Sequence, residues 1–161
     1  RPEIFGAGLH TFMQEGARFL GSMVGVCEEQ PLADNRISQA QEKDRFGMPL
    51  ARVTYRVSDD GRKLWHNAAK EGVDLFKAAG AREAWHGPQA GQHIMGGTIM
   101  GTDANKSVTN GQSQTHEVEN LFIGGPSVFP TSSSVNSTFT AHAVALKSAR
   151  FIAQNWGQIV A

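Results

Sequence analysis

The stretch PTSSSVNSTFTAHAVALKSAR, residues 130–150, runs from a polar turn straight into a small-residue helix, and the rest of the chain can be placed around it. Asn136 and Ser137 are residue types that cap a helix start, because a short side-chain oxygen accepts from the free N–H groups of the first turn. Beyond them Phe139, Ala143, Leu146 and Ala149 recur at helical spacing, and Lys147 and Arg150 suit the negative end of the helix dipole. Ala141, Ala143, Ala145, Ala149 and Ala153 let another backbone or a flat ligand come close. The first-turn N–H groups favour partial negative charge, so this helix start is a place to hold an electron sink.

Composition narrows the classes. The 161 residues suit one domain with a core and equally suit an excised piece of a longer protein. Fifteen basic and fifteen acidic residues cancel, and no basic block is interleaved with aromatics, which argues against nucleic acid as a partner. The single cysteine, Cys27, rules out an internal disulfide framework and an all-cysteine metal or iron–sulfur site, and is expected to be a buried, inert thiol. No apolar run approaches the roughly 20 residues of a membrane-spanning helix, and the opening RPEIFGAGLH has no apolar signal-peptide region. The compartment stays unassigned.

Taken in order, residues 1–21 begin in a glycine-punctuated stretch and then offer Leu9, Phe12, Met13, Ala17 and Leu20 as a short amphipathic segment. Gly6-Ala7-Gly8 is not a dinucleotide fingerprint, because Thr11 stands where a third glycine is needed and no strand precedes it. Residues 22–30 read as a strand that forms a hairpin with a short strand at 36–39 across Pro31 and Asp34-Asn35. Residues 51–58 alternate, Val53, Tyr55 and Val57 on one face and Arg52, Thr54 and Arg56 on the other. Ser58 caps a helix with Asp59 and Asp60 in its first turn, an apolar stripe at Trp65, Ala69, Val73, Phe76 and Ala79, and Gly80 as its stop; this helix is expected to lie across the sheet. Residues 81–85 read as a short strand, Asn110-Gly111 as a turn, and Leu121-Phe122-Ile123 as a short buried strand. The expected class is α+β: an antiparallel-rich sheet with helices on one face, residues 1–92 forming the sheet and helix and 93–161 the glycine-rich segment and C-terminal helix of a single compact unit.

Two blocks, HIMGGTIMG (93–101) and NLFIGGPSVFPTSSSVNSTFTAHAVALKSARFI (120–152), resemble the C-terminal part of the glucose–methanol–choline oxidoreductases, in particular the branch of sugar, gluconate and sorbitol dehydrogenase flavoprotein subunits. LGSMVGVCEEQPLADNRI (20–37) and KDRFGMPLARVTYRVSDD (43–60) are similar to the same family's substrate-domain sheet. The resemblance implies that most of an FAD is bound by an N-terminal Rossmann-type domain absent here, and that this chain alone is inactive. It implies His93 as the base that takes a substrate hydroxyl proton, a role open to neutral imidazole near pH 7, and Asn136 as the residue that hydrogen-bonds the substrate oxygen. It also implies that Gly125, Pro126, Ser127, Val128, Asn136, Ser137 and Thr138 pass close to the flavin. Two positions depart from the family pattern: Gly125-Pro126 stands where Asp-Gly is frequent, and Ser137 where proline follows the asparagine.

Implied partners are a small alcohol or sugar substrate and an electron-accepting subunit or quinone; the gluconate and sorbitol branch implies a periplasmic or membrane-associated place. Without the paired motifs His93 reads as an ordinary surface histidine and Asn136 as an ordinary cap. His10, His66, His86 and His116 have no partner at metal-ligand spacing, His142 reads as structural, and no metal site is expected. Two other functions stay open, a non-redox lyase that keeps FAD on the same scaffold and a non-catalytic binding or assembly module. If a flavin domain is missing, the helix after Asn136 is expected to expose apolar surface.

Overall fold

The computed structural model describes residues 3–91 and 93–160; Arg1, Pro2, Gln92 and Ala161, and with them one side of the expected 92/93 boundary, lie outside the described residues. The elements in order are α1 (Gly6–Phe19), β1 (Arg36–Lys43), β2 (Pro49–Thr54), α2 (Asp59–Ala78), a 3₁₀ turn (Pro126–Val128) and α3 (Thr138–Ile159). The class is α+β with an antiparallel sheet, as the sequence periodicities implied.

Helix α2 forms where local chemistry places it. Ser58 Oγ accepts from Gly61 N at 2.9 Å, Asp59 and Asp60 sit at the positive end, and Lys77 lies in the last turn. The helix stops in a paired motif: Gly80, at φ 88°, donates its N–H to Lys77 O at 3.0 Å, and Ala81 N–H bonds Phe76 O at 2.9 Å. That motif takes up the main chain at Ala81, and residues 81–85 form no strand; Trp85 packs instead against Phe12 of α1, with ring centroids 5.9 Å apart.

The expected hairpin of 22–30 with 36–39 is absent; β1 pairs with β2, bringing Ile37 opposite Val53 and Gln39 opposite Ala51. The cause is the turn between them. Asp44 Oδ1 accepts from the N–H groups of Phe46 and Met48 at 2.8 and 3.0 Å, and Gly47, at φ 83°, bonds back to Asp44 O. Asn35 adds a rung with its side chain, which exchanges two hydrogen bonds with the main chain of Arg56.

Residues 20–32 run in the opposite direction along α2. Gly21 lies against Phe76, Met23 against Gly72, Gly25 against Ala68, and Glu29 reaches Ser58 and Gly61. The lengths agree, since eight extended residues span about 26 Å and the eighteen helical residues from Ser58 to Phe76 about 27 Å. The segment thus lies along one face of α2, closest at Gly72, where a Cβ would stand 3.1 Å from Met23 Cε, and α2 packs on it rather than across the strands. Cys27, on this open segment, is half-buried and not the buried thiol expected. A Cβ at Gly61 would overlap the Glu29 carboxylate and touch Ser58 Oγ. Gly61→Ala is therefore expected to destabilise the protein by about 2 kcal/mol despite alanine's better helix propensity, read as a lowered thermal midpoint.

The tightest packing lies in the second half, where 98–101, 109–115 and 126–129 meet. Val128 and Thr109 are fully buried, and Ser113, Thr115 and Phe129 nearly so. Ser113 holds φ 62° there with its hydroxyl unpartnered, an arrangement tolerated because its main chain is bonded to Asn110 and Ile123. Phe122, half-buried and bridged to Gln114, meets Phe151 of α3 at 6.2 Å between ring centroids, and Lys147 Nζ donates to Gly111 O at 2.6 Å. A compact domain of 17.4 kDa exposes about 7,900 Å², yet this chain exposes 12414 Å². Much of the excess is apolar. Phe139 is 87% exposed, Trp156 60% and Leu146 51%, as expected for α3, and both faces of the two-stranded hairpin are open. Such a hairpin needs a covering layer to persist. Among the described residues no helix is long and apolar enough to cross a membrane.

Candidate active site

The 93–101 stretch is irregular, bending at His93, Gly97 and Thr98, with Gly96 and Gly97 at φ 81° and 98°, values open to glycine at little cost. Its alternate N–H groups meet successive carbonyls of the 3₁₀ turn: Gly96 N to Pro126 O at 3.2 Å, Thr98 N to Ser127 O at 3.1 Å, and Met100 N to Val128 O at 2.8 Å. Val128, the most buried residue of the turn, anchors this junction in the core and offers no surface to a ligand. Gly97 also borders the hairpin, since a Cβ there would stand 3.1 Å from Ile37 Cδ1. Two sequence blocks some thirty residues apart are thereby held as one body.

At the open edge of that body Gly125 takes φ 92° with nothing within 4 Å of where a Cβ would stand, so its main chain is approachable from outside. Ser127 is half-buried and Pro126 exposed. His93 and Asn136 are both exposed, and among the described residues neither makes a hydrogen bond.

Ser137 occupies the N-cap position of α3 at φ −91°, ψ 7°, but its side chain makes no capping bond. The first helical N–H to find an acceptor is that of Ala141, on Ser137 O. Thr138, Phe139 and Thr140 therefore present N–H groups without an acceptor among the described residues. An uncapped helix start of this kind favours an electron-rich group in front of it.

The segment that carries Asn136 is fastened by Ser132, which exchanges two hydrogen bonds with the main chain of Glu29. Nothing in the spacing of the sequence announces that contact, because its partners lie 103 residues apart. The remaining histidines have local roles. His116 Nε2 lies 2.9 Å from Ser107 Oγ, whose proton is given to Asp103 O at 2.7 Å, so the ring donates and Ser107 is no activated nucleophile. His66 and His86 flank Trp65 at 4.9 and 5.2 Å between centroids, and His10 and His142 are exposed on α1 and α3. Two hollows beside α3, one lined by Asn110, His116, Glu119 and Asn155 and the other by Gln112, Leu146 and Arg150, include neither His93 nor Asn136. Among the described residues no three histidine, cysteine or carboxylate side chains converge as a metal site.

Residues 31–145 match the family model of the GMC oxidoreductases, in its C-terminal domain. The chain is 36% identical over 143 residues to a C-glycoside 3-oxidase of Arthrobacter globiformis, covering 83% of this chain and 28% of that protein. It is 36% identical over 125 residues to the fructose dehydrogenase large subunit of Gluconobacter japonicus, covering 76% of this chain and 23% of that one. With the gluconate 2-dehydrogenase flavoprotein of Pantoea cypripedii it shares 26% identity over 125 residues, 71% of this chain and 20% of that one. The chain thus spans about a quarter of the length of the curated relatives it matches.

Proposed function

The chain belongs to the GMC oxidoreductase family, and on that premise we propose that it is the substrate-binding and catalytic C-terminal part of an FAD-dependent enzyme that oxidises an alcohol group of a sugar, sugar acid or polyol. The observation that supports this most is the junction of 96–100 with 126–128, which sets the His93 block on the same rigid body as the Gly125 loop. The names of the relatives, which act on a C-glycoside, fructose and gluconate, favour the substrate class.

Turning CH–OH into C=O removes a proton from the hydroxyl oxygen and a hydride from the carbon that bears it. In this reading a ring nitrogen of His93 takes the proton, and the Asn136 amide donates to the same oxygen and fixes the carbon's orientation. When bound, the flavin supplies the two-electron acceptor for the hydride. The residues present fit such a group. The free N–H groups of Thr138, Phe139 and Thr140 stabilise negative charge gathering in front of α3, with the Thr138 hydroxyl as a further donor. Gly125, Pro126, Ser127 and Ser137 would border it through main chain and small side chains. Most of the FAD would be held by an N-terminal domain, whose docking would also cover the excess apolar surface of α3 and the hairpin. A separate subunit or a quinone would take the electrons onward; the name of the fructose dehydrogenase large subunit itself implies a second subunit in that enzyme.

The test is anaerobic mixing of the purified complete protein with a panel of sugars, sugar acids and polyols. It is expected to carry flavin, and at least one substrate is expected to bleach its visible absorbance. Flavin that stays oxidised across the panel would favour the lyase reading. A protein purified without flavin would favour the binding module.

A further inference from the structure

We propose that Ser132 is a positioning residue for Asn136, acting through a clamp on the main chain of Glu29; the inference rests on the substrate-orienting role given to Asn136 above. Asn136 has no side-chain hydrogen bond among the described residues, and the helix start behind it is uncapped. Its place is therefore set by where the main chain is held on either side. On the C-terminal side that is α3. On the N-terminal side the chain leaves the core at Phe129, and among the described residues the hydrogen bonds that tie the stretch between there and α3 to another part of the protein are those of Ser132.

Those bonds are reciprocal: Glu29 N–H donates to Ser132 Oγ at 2.9 Å, and the Ser132 hydroxyl donates to Glu29 O at 3.1 Å. A hydroxyl can give and accept at once on a single residue, which alanine cannot do. The anchor is firm. Glu29 is held in turn by its carboxylate, whose Oε1 accepts from the main-chain N–H of the buried Ser58 at 2.8 Å, at the start of the 20-residue helix α2. The path from α2 to the site thus runs Ser58, Glu29, Ser132, and then four residues to Asn136.

The experiment compares Ser132→Ala and Ser132→Thr in the complete, flavin-loaded protein, each made in the parent and in an Asn136→Ala background. In the parent, Ser132→Ala is expected to lower kcat about 10-fold, and Ser132→Thr, which keeps the hydroxyl, to stay within about twofold of the parent. In the Asn136→Ala background neither change is expected to lower kcat further, because the group they position is gone. Amide hydrogen exchange is expected to rise in Ser132→Ala at residues 27–30 and 131–137 and not elsewhere. An equal loss in both backgrounds, or no loss in the parent, overturns the proposal while leaving the role of Asn136 intact. An Asn136→Ala protein as active as the parent overturns both. Should Ser132→Ala not fold, Ser132→Cys, similar in volume but a weak donor and acceptor, is judged in the two backgrounds by the same criteria.

Discussion

Replacing His93 with alanine in the complete protein is expected to lower kcat for alcohol oxidation about 10³-fold, within the range that a general base contributes. The loss should fall on chemistry alone. His93 is exposed and packs into no core, so flavin content and thermal midpoint are expected to match the parent. Flavin that is reduced chemically and then reoxidised should behave as in the parent, because only the proton-abstracting step is impaired. Added imidazole should restore part of the rate by entering the space left at position 93. A loss below about tenfold, or a loss that simply follows flavin content, would remove His93 from the chemistry.

The second large effect is expected at Asn136. Asn136→Ala should lower kcat/KM about 10²-fold, equivalent to about 2.7 kcal/mol, the scale of a hydrogen bond to a group that gains charge in the transition state. Asn136→Asp separates the two readings of this residue. As a helix-start residue aspartate is at least as good as asparagine, and its charge suits the positive end of α3, so stability should hold or rise by about 0.5 kcal/mol. Its carboxylate, however, accepts where the amide donates, and it sets negative charge where negative charge must gather. Activity should fall at least as far as in Asn136→Ala. An Asn136→Asp protein with parental activity would leave position 136 a plain helix start.

What the sequence made legible was what is encoded within a few residues. Ser58, the paired aspartates and Gly80 announce both ends of α2, because capping and termination are contacts between near neighbours. Likewise the apolar stripe of α3 is written in its spacing, whereas its exposure was expected from the resemblance, through the missing flavin domain. Residues 22–30 read as a strand because Met23, Val24, Val26 and Cys27 are apolar, whereas their partner is a helix face about forty residues further on, which no local spacing announces. The β1–β2 pairing was missed because 44–47, rich in polar residues, reads as a loop although its own bonds close it into a turn. At the site, His93 and Asn136 could be named as types in a motif. The bonds that hold their segments, 96–100 on the 3₁₀ turn and Ser132 on Glu29, are long-range main-chain contacts without a residue signature.

Gly125 illustrates the same division. Its positive φ can be guessed from Gly124-Gly125 in the sequence, but that its outer side faces open space follows only from the fold. The 12414 Å² of exposed surface belongs with it: a site built on one face of an uncovered body becomes concave only when another layer closes over it.

In the proposed reaction the His93 imidazole and the Asn136 amide act on one alcohol beside a flavin. The most direct measurement is a crystal structure of the complete, flavin-loaded protein with an unreactive polyol bound. Both side chains are expected within about 3 Å of one polyol oxygen, with the start of α3 facing the flavin ring. A polyol held elsewhere, or His93 and Asn136 on opposite sides of the flavin domain, would contradict it.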